Sequence, residues 1–155
     1  MVKIIDCNVF ESGAEVICHQ VNCKGSMENG VAKQVKDRYP QVCEAYERAC
    51  CAVQSSKDLL GTVCDVSVSE GGKTLVICSL FGQDNYSGSG FCFTDYAALG
   101  ACLEKVRDKY KDKRIALPYR MSCSLMGGDW RIVEKLILDI LGGCDVTVCR
   151  HYIKE

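Results

Sequence analysis

The sequence predicts a three-layer α/β/α sandwich with a mixed, mostly parallel central sheet. Three observations carry this. Short apolar runs of strand character alternate with segments of helical period along the whole chain, the pattern of strand–helix units. One pair of runs, "GTVCDVSV" and "KTLVICSLF", is separated only by "EGG", a hairpin signal that makes the sheet mixed. The chain has 155 residues, 48% of them apolar and 25% charged, enough for one substantial core. No internal repeat, low-complexity tract or linker divides residues 1–155, which read as one domain.

The elements follow in order. "VKIID" (2–6) and "EVICHQVN" (15–22) read as strands, and "GVAKQVKDRY" (30–39) as a short helix with Asn29 as its N-cap. Pro40 suits the first turn of a second helix, whose apolar stripe is Val42, Tyr46, Ala49, Cys50 and Val53. After the hairpin comes the polar loop "GQDNYSGSGF". Thr94 then reads as N-cap of a long helix with Leu99, Leu103, Val106 and Tyr110 inward. "RIALP" is a strand. Asp129 caps a helix striped by Val133, Leu136, Ile137, Ile140 and Leu141, which Gly142 and Gly143 end in the manner of a glycine C-cap. "DVTVCRHYI" is the last strand.

Composition excludes several classes of function. A net charge of −1 supplies no basic field for general nucleic-acid or membrane binding. No apolar run reaches the length of a membrane span, and Lys3 and Asp6 interrupt any signal-peptide core, so a cytoplasmic location is expected. Of the 13 cysteines no two are spaced C-x-x-C, and the only histidines are His19 and His151, so no metal is expected, and no cofactor. Cys18, Cys78 and Cys149 sit inside apolar runs, where cysteine serves as a small buried hydrophobe.

In sheets of this kind ligands bind outside the carboxyl ends of the strands. Three loops leave such ends: 23–29, 80–93 and 118–129. In "NCKGSMENG", Gly25 and Gly30 permit positive φ, and the loop leads into a helix N-terminus that favours an anion. Neither nucleotide-binding glycine fingerprint is present. The loop therefore reads either as a phosphate cradle or as a plain strand–helix turn. "SCSLMGGDW" has the same logic, and two such loops on one edge suit a diphosphate.

The segments "ICHQVN", "GSMENGVAKQVKDRYP", "FGQDNYSG", "TDYAAL" and "LPYRMSCSLMGGDW", in this order after the first strand, resemble a macrodomain, the ADP-ribose-binding fold. The similarity covers nearly the whole chain. It points to the small single-domain bacterial and phage-type branch that resembles terminal ADP-ribose protein glycohydrolase and ADP-ribose-1''-phosphate phosphatase.

The resemblance implies roles for individual residues. Asn8, with Val9 beside it, stands where the family holds the adenine amino group with an acidic residue. Asn22 matches the asparagine that contacts the distal ribose. The first diphosphate loop is Gly25, Ser26, Met27, Glu28, Asn29 and Gly30, followed by Val31, with Glu28 in place of a glycine. Glu28 points to solvent or serves as an acid or base near the ribose. The second phosphate loop is Ser122, Cys123, Ser124, Leu125, Met126 and Gly127, with serines for two glycines and Met126 for an alanine. Tyr152 is an adenine-stacking or a packing residue. The glycohydrolase's lysine nucleophile falls near Gln83 and its aspartate on Met126, and neither substitute can do that chemistry. The titratable candidates left for catalysis are His19, Glu28 and Asp129. For His19 the other reading is a hydrogen-bonded core histidine, and for Asp129 a helix cap. Two functions follow: a hydrolase acting at the distal ribose of ADP-ribose derivatives without a lysine adduct, or a non-catalytic reader of ADP-ribose or an ADP-ribosylated partner.

Overall fold

The computed structural model describes residues 1–28, 30–85, 93–123 and 128–151. Its elements are β1 (Val2–Asp6), β2 (Val16–Asn22), α1 (Gly30–Arg38), α2 (Pro40–Cys51), β3 (Val63–Glu70), β4 (Lys73–Gln83), α3 (Tyr96–Tyr110), β5 (Arg114–Pro118), α4 (Trp130–Leu141) and β6 (Asp145–Arg150). They form one six-stranded sheet in the order β1-β6-β5-β2-β4-β3. Every pairing is parallel except the β3–β4 hairpin, in which Glu70 faces Lys73 across Gly71 and Gly72. The mixed, mostly parallel sheet is the one the sequence predicts.

Side-chain alternation along β2 sorts the core into two layers. Val16 and Cys18 join Leu99 and Leu103 of α3 and Val133, Ile137 and Leu141 of α4. Ile17 joins Val35 of α1 and Val42 of α2, while Val21 packs with Tyr46 and Phe81. A strand buried on both faces favours apolar residues, as at Val16, Ile17, Cys18 and Val21 of β2, while the polar His19, Gln20 and Asn22 gather toward its carboxyl end. Cys18, Cys78 and Cys149 are all buried, and Cys18 and Cys78 face each other in register on adjacent strands. They fill the core as small apolar groups. Among the described residues no helix is long and apolar enough to cross a membrane.

The structure departs from the sequence reading at several element ends. The cap of α3 is Asp95, whose side chain accepts from the Ala98 N–H. Thr94 instead pairs with Gln83 in an isolated bridge and gives its hydroxyl to the Ser122 carbonyl at 3.1 Å. Strand β2 starts at Val16, one residue after Glu15, and α1 stops at Arg38. Tyr39 leaves the helical region because the ring of Pro40, the first residue of α2, restricts the residue before it. Val53 lies beyond the end of α2 but still packs on its cluster. Helix α4 ends at Gly142 with φ −59°, so no left-handed glycine closes it. Glycine is required there because a Cβ would collide with the Leu138 carbonyl oxygen. Strand β6 ends at Arg150. The proposed α1 cap, Asn29, lies outside the described residues.

Candidate functional site

A cleft of about 220 Å³ opens at the carboxyl edge of the sheet, where β2, β4 and β5 deliver their loops. Its lining includes His19, Asn22, Ser26, Glu28, Gly30 and Val31 from the β2 side, Gln83 from β4, and Arg120, Ser122 and Cys123 from the loop after β5. Loops far apart in sequence converge here because their strands are neighbours in the sheet.

The first loop is held by Asn22 and Tyr46. The Asn22 Oδ1 accepts from the Lys24 N–H at 3.0 Å and the Ser26 N–H at 3.3 Å, and its Nδ2 donates to the Ser26 carbonyl at 2.8 Å. This closes a tight Asx-type turn. The fully buried Tyr46 hydroxyl donates to Asn22 and accepts from the Gly25 N–H at 3.1 Å. Gly25 and Gly30 adopt φ of +84° and +61°, the left-handed region in which glycine carries no Cβ penalty. Met27 points inward and is buried against Tyr46 and Phe81, away from the cleft lining.

A second network ties the other two loops to β2. Gln20 Nε2 donates to Gln83 Oε1 at 2.7 Å and to Thr94 Oγ1 at 3.1 Å, and Gln20 Oε1 accepts from the Ser122 hydroxyl. The Ser122 carbonyl accepts from the Gly128 N–H at 3.0 Å as well as from Thr94. Ser122 itself has φ +75°. It thus holds, as a serine, the backbone conformation for which glycine is the usual residue, and its hydroxyl gains a partner in exchange. Nothing in the local sequence marked Gln20. Its role exists only because β2, β4 and β5 are adjacent.

His19 lies on the other face of β2 from Gln20, in register with Ser79 of β4. Its Nε2 is 2.8 Å from Ser79 Oγ, while Nδ1 is buried with no hydrogen-bond partner among the described residues. Burial lowers its pKa to about 4, so the ring is neutral near pH 7. Either tautomer leaves Nδ1 with one open hydrogen-bonding position, as a donor or as an acceptor.

The remaining predicted residues are dispersed. Glu28 lines the cleft at its mouth with an exposed side chain paired to Lys36 Nζ at 2.9 Å. Asp129 is absent from the cleft lining. It caps α4 by accepting from the Arg131 N–H, and the hydrogen bond from the Arg131 side chain holds its carboxyl below the usual range. Asn8 accepts from the Phe10 N–H at 2.9 Å and Val9 is buried under it; both stand at the β1 edge of the sheet, outside the lining. Gln83 is 1% exposed and donates from Nε2 to the Asn85 carbonyl at 2.7 Å. Ser124, Leu125, Met126, Gly127 and Tyr152 lie outside the described residues.

No protein-family profile matches the chain. A solved macrodomain protein from Streptomyces coelicolor is 26% identical, with a TM-score of 0.76 over 99% of this chain and 100% of its own. The ADP-ribose 1''-phosphate phosphatase of Saccharomyces cerevisiae is 34% identical over 165 aligned positions, covering 89% of this chain and 90% of that protein. The chain belongs to the macrodomain family. A shorter match, 42% identical over 43 residues, connects this macrodomain to the DNA ADP-ribosyl glycohydrolase of Mycobacterium tuberculosis, and it spans 28% of this chain and only 12% of that protein. Of the residues the resemblance names, Asn22, Ser26, Glu28, Gly30, Val31, Gln83, Ser122 and Cys123 are in the cleft lining of this macrodomain. Gln83, near which the resemblance puts the lysine, is held in hydrogen bonds to Gln20 and Asn85.

Proposed function

We propose that this macrodomain binds ADP-ribose or an ADP-ribosylated substrate in the cleft and hydrolyses a bond at the distal ribose, either an ADP-ribosyl ester or a 1''-phosphate. The observation that carries this reading is the 34% identity, over 89% of the chain, to a protein named for ADP-ribose 1''-phosphate hydrolysis. The cleft suits it. The adenine belongs near Asn8 and Val9 at the β1 edge, the diphosphate between the two glycine- and serine-containing loops, and the distal ribose toward Asn22 and Gln83. Asn22 has committed one Nδ2 hydrogen to Ser26 and its Oδ1 to the loop, so one N–H is left for a ribose hydroxyl.

The nucleophile is water. In the phosphatase reaction its oxygen bonds to phosphorus as the bond to the ribose oxygen breaks, giving ADP-ribose and inorganic phosphate. Gln83 cannot attack C1'' as a lysine amine does, because an amide nitrogen has no available lone pair. His19, neutral and with Nδ1 open, positions the water or a ribose hydroxyl. Glu28, at the mouth, is the carboxylate placed to exchange a proton with it. Asp129 acts as a helix cap.

The test is to incubate the protein with ADP-ribose 1''-phosphate and, separately, with glutamate-ADP-ribosylated protein. Release of phosphate or of ADP-ribose is expected, with no borohydride-trapped adduct in the protein's mass spectrum. Binding of ADP-ribose without turnover of either substrate would replace the hydrolase by a reader.

A further inference from the structure

Arg120 lines the cleft and has no part in the machinery above. It follows β5 by two residues, and β5 lies between β6 on the adenine side and β2 on the ribose side. Its side chain is exposed to the cleft, and no ion pair neutralises it among the described residues. The other charges nearby are paired: Glu28 with Lys36, Lys24 with Asp84, Arg150 with Asp6. Among the described residues of the lining, Arg120 is therefore a cation without an ion-pair partner.

Its backbone is unusual. Arg120 has φ +59°, a region L side chains rarely adopt. The turn that imposes this is closed on both sides, by the Met121 N–H to the Pro118 carbonyl at 3.1 Å and the Cys123 N–H to the Arg120 carbonyl at 3.0 Å. Asn or Gly would fit this backbone with less strain, but neither carries a charge. Also in the lining are Gly30 and Val31, the first residues of the nine-residue α1, whose N-terminal end favours negative charge. A guanidinium and a helix N-terminus thus share one cleft midway along the sheet. A planar guanidinium fork matches two oxygens of a phosphate, which a point charge does not.

We propose that Arg120 is a specificity-determining residue that grips the phosphate bridge of the ligand, so that the cleft selects a diphosphate-linked nucleotide over a neutral nucleoside. This rests on the proposed function. It adds a residue that neither the glycine-loop pattern nor the resemblance pointed to.

The experiment is calorimetric titration of the wild type, R120Q and R120K with ADP-ribose and with adenosine, at low and at high sodium chloride. R120Q is expected to weaken ADP-ribose binding roughly tenfold or more, R120K by less. The salt dependence should become shallower in R120Q, and adenosine binding should be equal in all three proteins. Equal ADP-ribose affinity in the three proteins would overturn the inference while leaving the proposed function standing. A wild type that fails to bind ADP-ribose overturns both. An equal loss for adenosine and ADP-ribose also overturns it, because it reports damage to the fold and not a lost phosphate contact; melting curves of the variants identify that case.

Discussion

The hydroxyl of Tyr46, on α2, donates to the backbone oxygen of Asn22 at 2.7 Å and lies 2.8 Å from its side-chain Oδ1, so one buried tyrosine fixes the residue from which the loop after β2 departs. Its ring stacks on Phe81 of β4, with centroids 5.6 Å apart, so the hydroxyl is aimed by the core. The loop after β2 is thereby held in one shape by the protein's own hydrogen bonds.

Tyr46→Phe keeps the ring and removes the hydroxyl. The Asn22 carbonyl and the Gly25 N–H then lose a buried partner, which costs about 1–3 kcal/mol. The melting temperature should fall, and ADP-ribose affinity should fall further than in a Phe81→Leu variant matched for stability. Denaturant titration with calorimetry checks both.

His19 makes stability depend on pH. Its folded pKa of about 4 lies below the ordinary histidine value, so between those limits the unfolded chain binds the extra proton. Stability from this group is complete above the unfolded pKa and is lost as pH falls from about 6.5 toward 4. The loss amounts to about 3 kcal/mol if the whole shift is realised. His19→Gln should flatten the difference between the urea midpoints at pH 7 and pH 4.5. An unchanged pH slope in the variant would show that the ring is not buried as a neutral base.

Gly128 and Gly82 are required by neighbours, not by their φ. A Cβ at Gly128 would collide with the Ser122 carbonyl oxygen, a backbone atom, while the atoms nearest one at Gly82 belong to the Gln20 side chain. Gly128→Ala should therefore destabilise by on the order of 1–3 kcal/mol. Gly82→Ala should cost less stability but displace the Gln20 amide from Gln83, lowering turnover or affinity. Thermal melts and activity on the same preparations separate the two effects.

Cysteine reactivity should divide by burial. Cys51 is exposed, whereas Cys102 is buried and burial pushes its thiol up to about 12. Iodoacetamide followed by mass mapping should label Cys51 in the native protein and Cys18, Cys78 and Cys102 only after unfolding. Native labelling of Cys18 would contradict its place in the core.

Most of the architecture was legible because it rests on periodicity. The runs at 2–6 and 114–118 are strands with the bounds the sequence suggests, and Pro40 and Asp129 mark helix starts by local chemistry alone. Thr94 was misread for a physical reason. Threonine and aspartate are both good caps, and only the Gln83 bridge and the Ser122 carbonyl decide that Thr94 serves the loop and Asp95 the helix.

By itself the sequence determined the fold class, the mixed sheet and the resemblance to a macrodomain. These depend on residue type and spacing along one chain. Tertiary structure alone decided that Gln20 links Gln83 to Ser122, that Tyr46 holds Asn22, that His19 is buried as a neutral ring against Ser79, and that Arg120 has no ion pair among the described residues. Each of these is a relation between strands or helices that lie far apart in sequence, and hydrogen bonding and desolvation act on distance in space, of which the order of residues carries no direct record.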